Sequence, residues 1–240
     1  FTPIIIILLV LSYMALALKN IKRKSIYFVP FVCAVIVFAT LCGIHSYMTS
    51  DDQKIIYSNT RYGDSFVVIS DNKALVCDVA GISQSNASQS AYYLHENHIG
   101  KIDEYLITDY HGRGIDTLEE LSSHTDIGKI YLPNAITYEE RILEEMYVEY
   151  AKAKGIEYCT YDSRGGEAID FYGMTLMVRN VGNRQINTPS SICVTFANDN
   201  KIFAYVGLGA YSTEMGEKYL SGLFRENIPI LFGEYGKAER

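Results

Sequence analysis

Two long uncharged stretches at the front of the chain constrain its fold more than any other feature. Residues 1–18 contain only apolar or small side chains, and residues 26–49 form a second run without a charge. A helix needs about 20 such residues to cross the hydrocarbon core of a membrane. The sequence therefore predicts two transmembrane helices in residues 1–49. Because the chain opens on Phe1 rather than Met, we expect further membrane protein ahead of it.

The short segment between the two runs predicts their orientation. Residues 19–25 carry four basic side chains, Lys19, Lys22, Arg23 and Lys24. Short loops rich in Lys and Arg stay on the cytoplasmic side of a membrane. Both ends of the helical hairpin then point outwards, and residues 50–240 are expected to be extracytoplasmic in a multi-pass protein of the cell membrane.

Charge limits the partners of the outer part. All 28 acidic residues and 17 of the 21 basic residues follow residue 50, so this part has a formal charge of −11. An acidic surface repels phosphate backbones. We therefore expect no strong non-specific binding of nucleic acid by the outer domain.

Cysteine is sparse in the outer part. Cys77, Cys159 and Cys193 are scattered and show no CxxC spacing. This argues against a zinc ribbon or a disulfide framework. The sequence favours three small buried hydrophobic residues, and one disulfide remains an alternative.

Strand and helix patterns alternate along residues 54–240. The predicted strands are residues 54–59, 65–70, 73–79, 104–109, 129–133, 157–162, 171–180, 191–198, 201–207 and 228–233. The predicted helices are residues 90–97, a segment capped by Asp116, residues 138–154 and residues 213–225. In the third helix Ile142, Met146 and Tyr150 recur at period four, and Gly155 is the expected C-cap. This order of elements predicts two packed sheets with helices outside, an αββα sandwich of the α/β (α+β) class.

Three ordered motifs suggest a family. Residues 61–65, RYGDS, are similar to a G-Q-G-D-S turn, and residues 75–81, LVCDVAG, are similar to an L-I-D-x-G strand end. Residues 187–191, NTPSS, are similar to N-x-x-S-L-V. Over roughly residues 54–240 the chain resembles the metallo-β-lactamase fold at the C-terminus of ComEC-type competence proteins, which are membrane channels for DNA uptake. The resemblance implies a metallo-β-lactamase-like sandwich.

The metal-ligand positions that the resemblance implies have changed. Active members carry T-H-x-x-x-D-H-x-G-G, and this chain reads TDYHGRGIDT, with Asp109 at the first His, Arg113 at the Asp and Gly114 at the second His. The metal-bridging Asp of a later T-G-D motif corresponds to Leu208, and the first His of a final H-H-G-S motif corresponds to Glu234. His111 falls where family members vary.

These changes remove most of the expected ligands. Arg113 cannot bind a cation, and Gly114 and Leu208 supply no side-chain lone pair. The residual donors would be Asp78, Asp109, His111 and Glu234. We therefore expect neither a catalytic residue nor a catalytic metal centre nor any other cofactor, in a pseudoenzyme of this fold. Arg113 can instead replace the metal charge by pairing with Asp78 or Asp109.

Simpler interpretations hold for other residues. Asp64 and Asp78 stand near glycines, where Asp is a common turn residue. The 20 Tyr with no Trp are expected mainly as half-buried residues of β-sheets.

Three hypotheses for function follow. The first is a non-catalytic extracytoplasmic domain of a ComEC-like protein of DNA uptake, whose partners are the membrane and single-stranded DNA or other channel components. The second is a metal-dependent nuclease or phosphodiesterase that holds zinc or manganese with Asp78, Asp109, His111 and Glu234. The third is a membrane-anchored ectodomain that only binds other proteins.

Overall fold

The computed structural model of the chain describes most of its second part. The described residues are 35, 38, 53–60, 63–79, 84–110, 114–182, 192–198, 201–207, 209–210 and 213–233. The predicted membrane spans lie outside these ranges, apart from Val35 and Phe38. Among the residues described, no helix is long and apolar enough to cross a membrane.

Six strands form the first sheet, sheet A. They are β1 (Lys54–Thr60), β2 (Gly63–Ser70), β3 (Lys73–Val79), β4 (Lys101–Ile107), β5 (Asp126–Pro133) and β6 (Glu157–Tyr161), and they lie in chain order. Strands β1 to β3 are antiparallel, and β3 to β6 run parallel. Asp71 and Asn72 turn the chain between β2 and β3 with φ of 53° and 57°, as their sequence predicted.

Five strands form the second sheet, sheet B. They are β7 (Ala168–Phe171), β8 (Met174–Asn180), β9 (Ile192–Ala197), β10 (Ile202–Val206) and β11 (Ile230–Phe232), in the order β11-β10-β9-β8-β7. The prediction of one strand over residues 171–180 was wrong. Tyr172 and Gly173 form a turn with φ of 44° and 77°, so the segment divides between β7 and β8.

Four helices connect the strands. They are α1 (Gln84–Glu96), α2 (Gly114–His124), α3 (Tyr138–Lys154) and α4 (Glu214–Arg225). Helix α1 begins six residues before the predicted start at residue 90. Helix α2 begins at Gly114, so Asp116 lies in its first turn and is not the cap.

Helix α3 has the predicted bounds because its caps are local. Thr137 accepts a hydrogen bond from the Glu140 amide while Glu140 bonds back to the Thr137 amide, and Gly155 ends the helix with φ of 69°. Of its three period-four residues, Ile142 and Met146 are exposed and Tyr150 packs against the core. The helix buries Tyr147 and Ala151 together with Glu140.

Three apolar clusters define the layers. One joins the inner faces of the two sheets, from Phe66 and Leu106 in sheet A to Phe196 in sheet B. A second packs the other face of sheet A against α1, α2 and α3. A third packs the outer face of sheet B against α4. The described residues therefore confirm the predicted mixed α/β architecture of helices, two sheets and helices.

Cys77, Cys159 and Cys193 are free thiols. Cys77 and Cys193 are buried, as expected of small hydrophobic residues, and Cys159 is half-buried.

Candidate functional site

Three buried carboxylates mark one edge of sheet A, which we call the carboxylate edge. Asp64 lies near the start of β2, Asp78 lies near the end of β3, and Asp109 follows β4. The ladder places Ser65 opposite Asp78 and Asp78 opposite Ile107, so the three acids come to the same edge. Their exposed fractions are 0%, 5% and 7%. Buried carboxylates are costly unless donors or cations compensate them.

Two tyrosine hydroxyls donate to Asp64. Tyr57 in β1 donates to Oδ1 at 2.9 Å, and Tyr205 in β10 donates to Oδ2 at 2.5 Å. Because Tyr205 belongs to sheet B, the second bond ties the two sheets together. Burial, helped by the carboxylate of Asp64, raises the pKa of Tyr205 well above its usual value, so the hydroxyl keeps its proton and remains a donor.

Gly233 closes this part of the site. Its amide donates to the carbonyl of Val206 at 3.0 Å. A Cβ at this position would stand 2.7 Å from Cζ of Tyr205 and 2.9 Å from Oδ2 of Asp64. The backbone after β11 therefore lies directly against the bonded pair, and a larger residue would push the pair apart.

Asp78 also accepts from a tyrosine. The hydroxyl of Tyr105, which is 1% exposed, donates to Oδ2 of Asp78 at 2.8 Å. The hydroxyl and the amide of Thr108 donate to the carbonyl of Asp78 at 2.7 and 3.3 Å. Burial first, and then the charge of Asp78, hold the pKa of Tyr105 well above its usual range.

Asp64 and Asp78 point to opposite faces of sheet A. Side chains two residues apart on a strand share a face. Asp64 therefore shares the face of Phe66, which packs against sheet B, whereas Asp78 shares the face of Val76, which packs against the helices. The two carboxylates do not converge on one point, and the interpretation of both as turn residues was wrong.

Asp109 lines a small crevice at the same edge. Its other walls include Glu140, Ser163, Arg164 and Asn180. The crevice has a volume of about 10 Å³, which is room for about one water molecule. Ligand pockets usually measure about 300–1,000 Å³, so this space does not hold a substrate.

The other tyrosines at the carboxylate edge differ in whether their hydroxyls form a hydrogen bond. Tyr161 donates to the carbonyl of Ile107 at 2.7 Å. The buried hydroxyl of Tyr147 has no hydrogen-bond partner among the described residues. Burial, and then the charges of Asp78 and Asp109, raise the pKa of Tyr147 well above its usual value. The edge thus contains neutral phenols beside carboxylates.

Some of the predicted site residues lie outside the described part of the chain. These are His111, Arg113, Leu208 and Glu234. Gly114 is buried at the first position of α2. In the part of the chain that the structure describes, no group of three or more His, Cys, Asp and Glu side chains is placed to hold a metal ion.

The residues that the structure describes do not by themselves supply the ligands of a binuclear metal centre. Such a centre needs about four nitrogen or oxygen ligands per ion. Oxygens of Asp64 and Asp78 instead accept tyrosine hydroxyls, and these two side chains diverge. By sequence, Arg113 and Leu208 cannot supply the missing ligands.

A larger groove of about 480 Å³ lies at the other end of sheet A. Lys73, His98, Lys101 and Asp103 line it, near the starts of β3 and β4. Both oxygens of Asp103 are engaged there, by the ammonium of Lys73 at 3.2 Å and the amide of Ala74 at 3.1 Å. This groove is separate from the carboxylate edge.

Sequence reasoning missed the tyrosines that hold the edge. Tyr57, Tyr105 and Tyr205 are the donors to its carboxylates, and none was a predicted site residue. The available signal was composition, because 20 Tyr without a single Trp indicates a use for the phenol hydroxyl.

Solved structures similar to this chain include metallo-β-lactamases. One from Novosphingobium pentaromativorans shows 15% identity, 72% coverage of this chain and 74% of its own, and a TM-score of 0.42. One from Legionella gormanii shows 12% identity, 75% coverage of each chain and a TM-score of 0.44. A motif mutant from Cronobacter sakazakii shows 14% identity and a TM-score of 0.42, and covers 63% of this chain.

The alignment spans only 60% of the Cronobacter sakazakii chain. At TM-scores of this size the likeness assigns no role to any residue here. No protein-family model and no curated protein matches the chain.

Proposed function

We propose that the described domain is a non-catalytic, metallo-β-lactamase-like scaffold of a ComEC-like membrane protein of DNA uptake. The observation that carries the proposal is the bonding of the carboxylate edge. Asp64 accepts from Tyr57 and Tyr205, and Asp78 accepts from Tyr105. The hydroxyl of Tyr105 thus occupies an acceptor position of Asp78, which is one of the four residues that the metal hypothesis uses.

The direction of each hydroxyl bond supports a structural role. A carboxylate oxygen that accepts a phenol proton at 2.5–2.9 Å has that lone pair engaged. A divalent ion that took the same lone pair would have to displace the proton donor and leave a buried hydroxyl unsatisfied, which costs about 1–3 kcal/mol for each hydroxyl. These bonds therefore oppose metal ligation at the lone pairs that they occupy.

The wider role rests on the sequence. The two predicted membrane spans and the basic segment of residues 19–25 favour a domain on the outer side of the cell membrane. The domain would position single-stranded DNA or another channel component at the membrane. The charge of −11 after residue 50 opposes tight, non-specific binding.

The second candidate is a metal-dependent hydrolase with a reduced ligand set. It is favoured by the fact that Asp78 and Asp109 reach the same edge of sheet A, where Asp109 lines a crevice. His111 and Glu234 would complete the set with one zinc or manganese ion. The direction of the Asp78 side chain opposes this candidate, because it faces the helices and accepts a hydrogen bond from Tyr105.

One experiment separates the two candidates. The 240-residue chain is purified in detergent after growth with zinc or manganese, its bound metal is measured, and it is assayed for cleavage of single-stranded DNA. The scaffold predicts far less than one ion per chain and no cleavage that a chelator abolishes. One ion per chain with chelator-sensitive cleavage that Asp109→Asn abolishes, and that exposed Asp126→Asn leaves intact, would overturn the scaffold.

A further inference from the structure

The larger groove at the other end of sheet A has the size of a ligand site. Its volume is about 480 Å³, and ligand pockets usually measure about 300–1,000 Å³. Three parts of the chain form it: the β2–β3 turn with Lys73, the segment after α1 with His98, and the start of β4 with Lys101 and Asp103. Separate elements therefore present basic side chains to one open space.

A third lysine reaches the rim of this groove. The ammonium of Lys54, at the start of β1, donates to Oδ1 of Asn97 at 3.4 Å, and Asn97 lines the groove. The side-chain amide of Asn97 donates in turn to a carbonyl of α1 at 2.8 Å, which fixes its orientation. Three lysines and one aspartate thus meet here with a net charge of +2, although the part of the chain after residue 50 carries −11.

The aspartate of the groove orients one of these lysines. Oδ1 of Asp103 accepts from the ammonium of Lys73 at 3.2 Å, and Oδ2 accepts from the amide of Ala74 at 3.1 Å. The same ammonium lies 5.9 Å from the centre of the Tyr172 ring. The Lys73 side chain is still 43% exposed, and an ammonium has three protons to donate. Lys73 can therefore bind a ligand without leaving Asp103.

The wall that follows α1 is fixed by local hydrogen bonds. The amide of His98 donates to the carbonyl of His95 at 3.0 Å, and the amide of Ile99 donates to the carbonyl of Leu94 at 2.9 Å. This pair of bonds is a Schellman motif, in which His98 takes the left-handed position with φ of 60°. Little of this wall needs to become ordered when a ligand binds, which favours affinity.

We propose that this groove binds the phosphate group of a small phosphomonoester. Such a group carries a charge of about −1.5 to −2 at pH 7, which complements the net charge of the lysines and Asp103. Lysine binds phosphate as a point charge, and the groove has room for a small organic group beside the phosphate. The groove lies at the end of sheet A away from the carboxylate edge, so this binding does not depend on whether that edge holds a metal.

The test measures stabilisation by glycerol 3-phosphate. Thermal unfolding of the 240-residue chain in detergent is followed by circular dichroism, with the ligand replaced by chloride of equal ionic strength as the reference. Lys101→Met removes the charge of an exposed side chain and keeps its apolar stem. Lys218→Met removes an exposed lysine of α4, a helix that packs on sheet B, and is the matched control.

Glycerol 3-phosphate should raise the Tm of the wild type and of Lys218→Met in a saturable manner. Lys101→Met should need about tenfold more ligand for the same rise, because it loses a charge-assisted bond to the phosphate. Lys101→Arg keeps the charge and should retain the effect. In chloride all three variants should unfold at the Tm of the wild type, since the replaced side chains are exposed.

Two further probes identify the part of the ligand that is recognised. A rise with inorganic phosphate as well would show that the phosphate group alone is sufficient, whereas a rise with glycerol 3-phosphate alone would show that the organic group contributes. The other probe is a single-stranded oligonucleotide without a terminal phosphate. A rise with the oligonucleotide but not with glycerol 3-phosphate would assign the groove to a phosphodiester backbone and overturn the proposal. Equal rises in the wild type and Lys101→Met, or no rise with any probe, would also overturn it.

Discussion

Removing the Tyr205 hydroxyl should weaken the domain more than removing the Tyr57 hydroxyl, although both donate to Asp64. The two bonds differ in burial. Tyr205 is 1% exposed, and Tyr57 is half-buried at the edge of sheet A. Asp64 itself is 0% exposed, so water cannot easily replace the hydroxyl lost in Tyr205→Phe.

The expected cost follows from the type of bond and from burial. Both hydroxyls donate to a carboxylate, and a hydrogen bond to a charged group contributes about 1.5–3 kcal/mol. Tyr205→Phe should cost an amount in this range. Tyr57→Phe should cost less, because the side chain is half-buried and water can reach the space that its hydroxyl leaves. In a domain of this size each kcal/mol lowers Tm by roughly 2–4 °C, so Tyr205→Phe should lower Tm by roughly 3–12 °C.

Urea denaturation followed by circular dichroism measures these costs. Tyr138→Phe is the matched control, because this tyrosine is 79% exposed and its hydroxyl should contribute nothing measurable. Asp64→Asn combined with Tyr205→Phe completes a double-mutant cycle. The coupling energy between the two positions should lie in the range of about 0.5–3 kcal/mol found for residues in contact.

Two results would refute this reasoning. One is a Tyr205→Phe variant as stable as Tyr138→Phe, which would mean that the carboxylate does not depend on the phenol. The other is a variant that zinc or manganese stabilises when neither metal stabilises the wild type. In that case the hydroxyl of Tyr205 would stand where an ion is able to bind Asp64.

Two further predictions concern thiols and a half-buried acid. Cys159 should react with iodoacetamide at pH 8 before Cys77 and Cys193, because the latter two thiols are buried. Burial also raises the pKa of Cys193 to about 12, so little of its reactive thiolate is present at pH 8. Peptide mass spectrometry measures the order, and earlier labelling of Cys193 would contradict it. One buried oxygen of Glu104 has no hydrogen-bond partner in the described part of the chain. Burial raises the pKa of Glu104 from 4.5 against the opposing charge of Lys129. Ionisation of Glu104 therefore disfavours the folded state. As pH rises above about 4.5, the free energy of unfolding of Glu104→Gln should increase relative to that of the wild type. A relative gain confined to lower pH would contradict this.

Elements set by local chemistry could be predicted from the sequence. Asp71-Asn72 specifies a tight hairpin, and Thr137 and Gly155 fix both ends of α3. The turn at Tyr172 was missed because a tyrosine at positive φ has no pattern in the sequence. Its backbone carbonyl accepts from Ser70, 102 residues earlier, which only the tertiary fold can arrange.

The candidate site was harder to predict because its bonds are long-range. The resemblance pointed to Asp78 and Asp109, which the structure places at one edge. It gave no indication that Asp64 bonds to Tyr205, 141 residues away, or that Tyr105 reaches Asp78 from the next strand. In α3 the buried residue is Tyr147, and its neighbour Met146 is exposed. Apolar spacing alone could not choose between the two faces of a helix rich in glutamate.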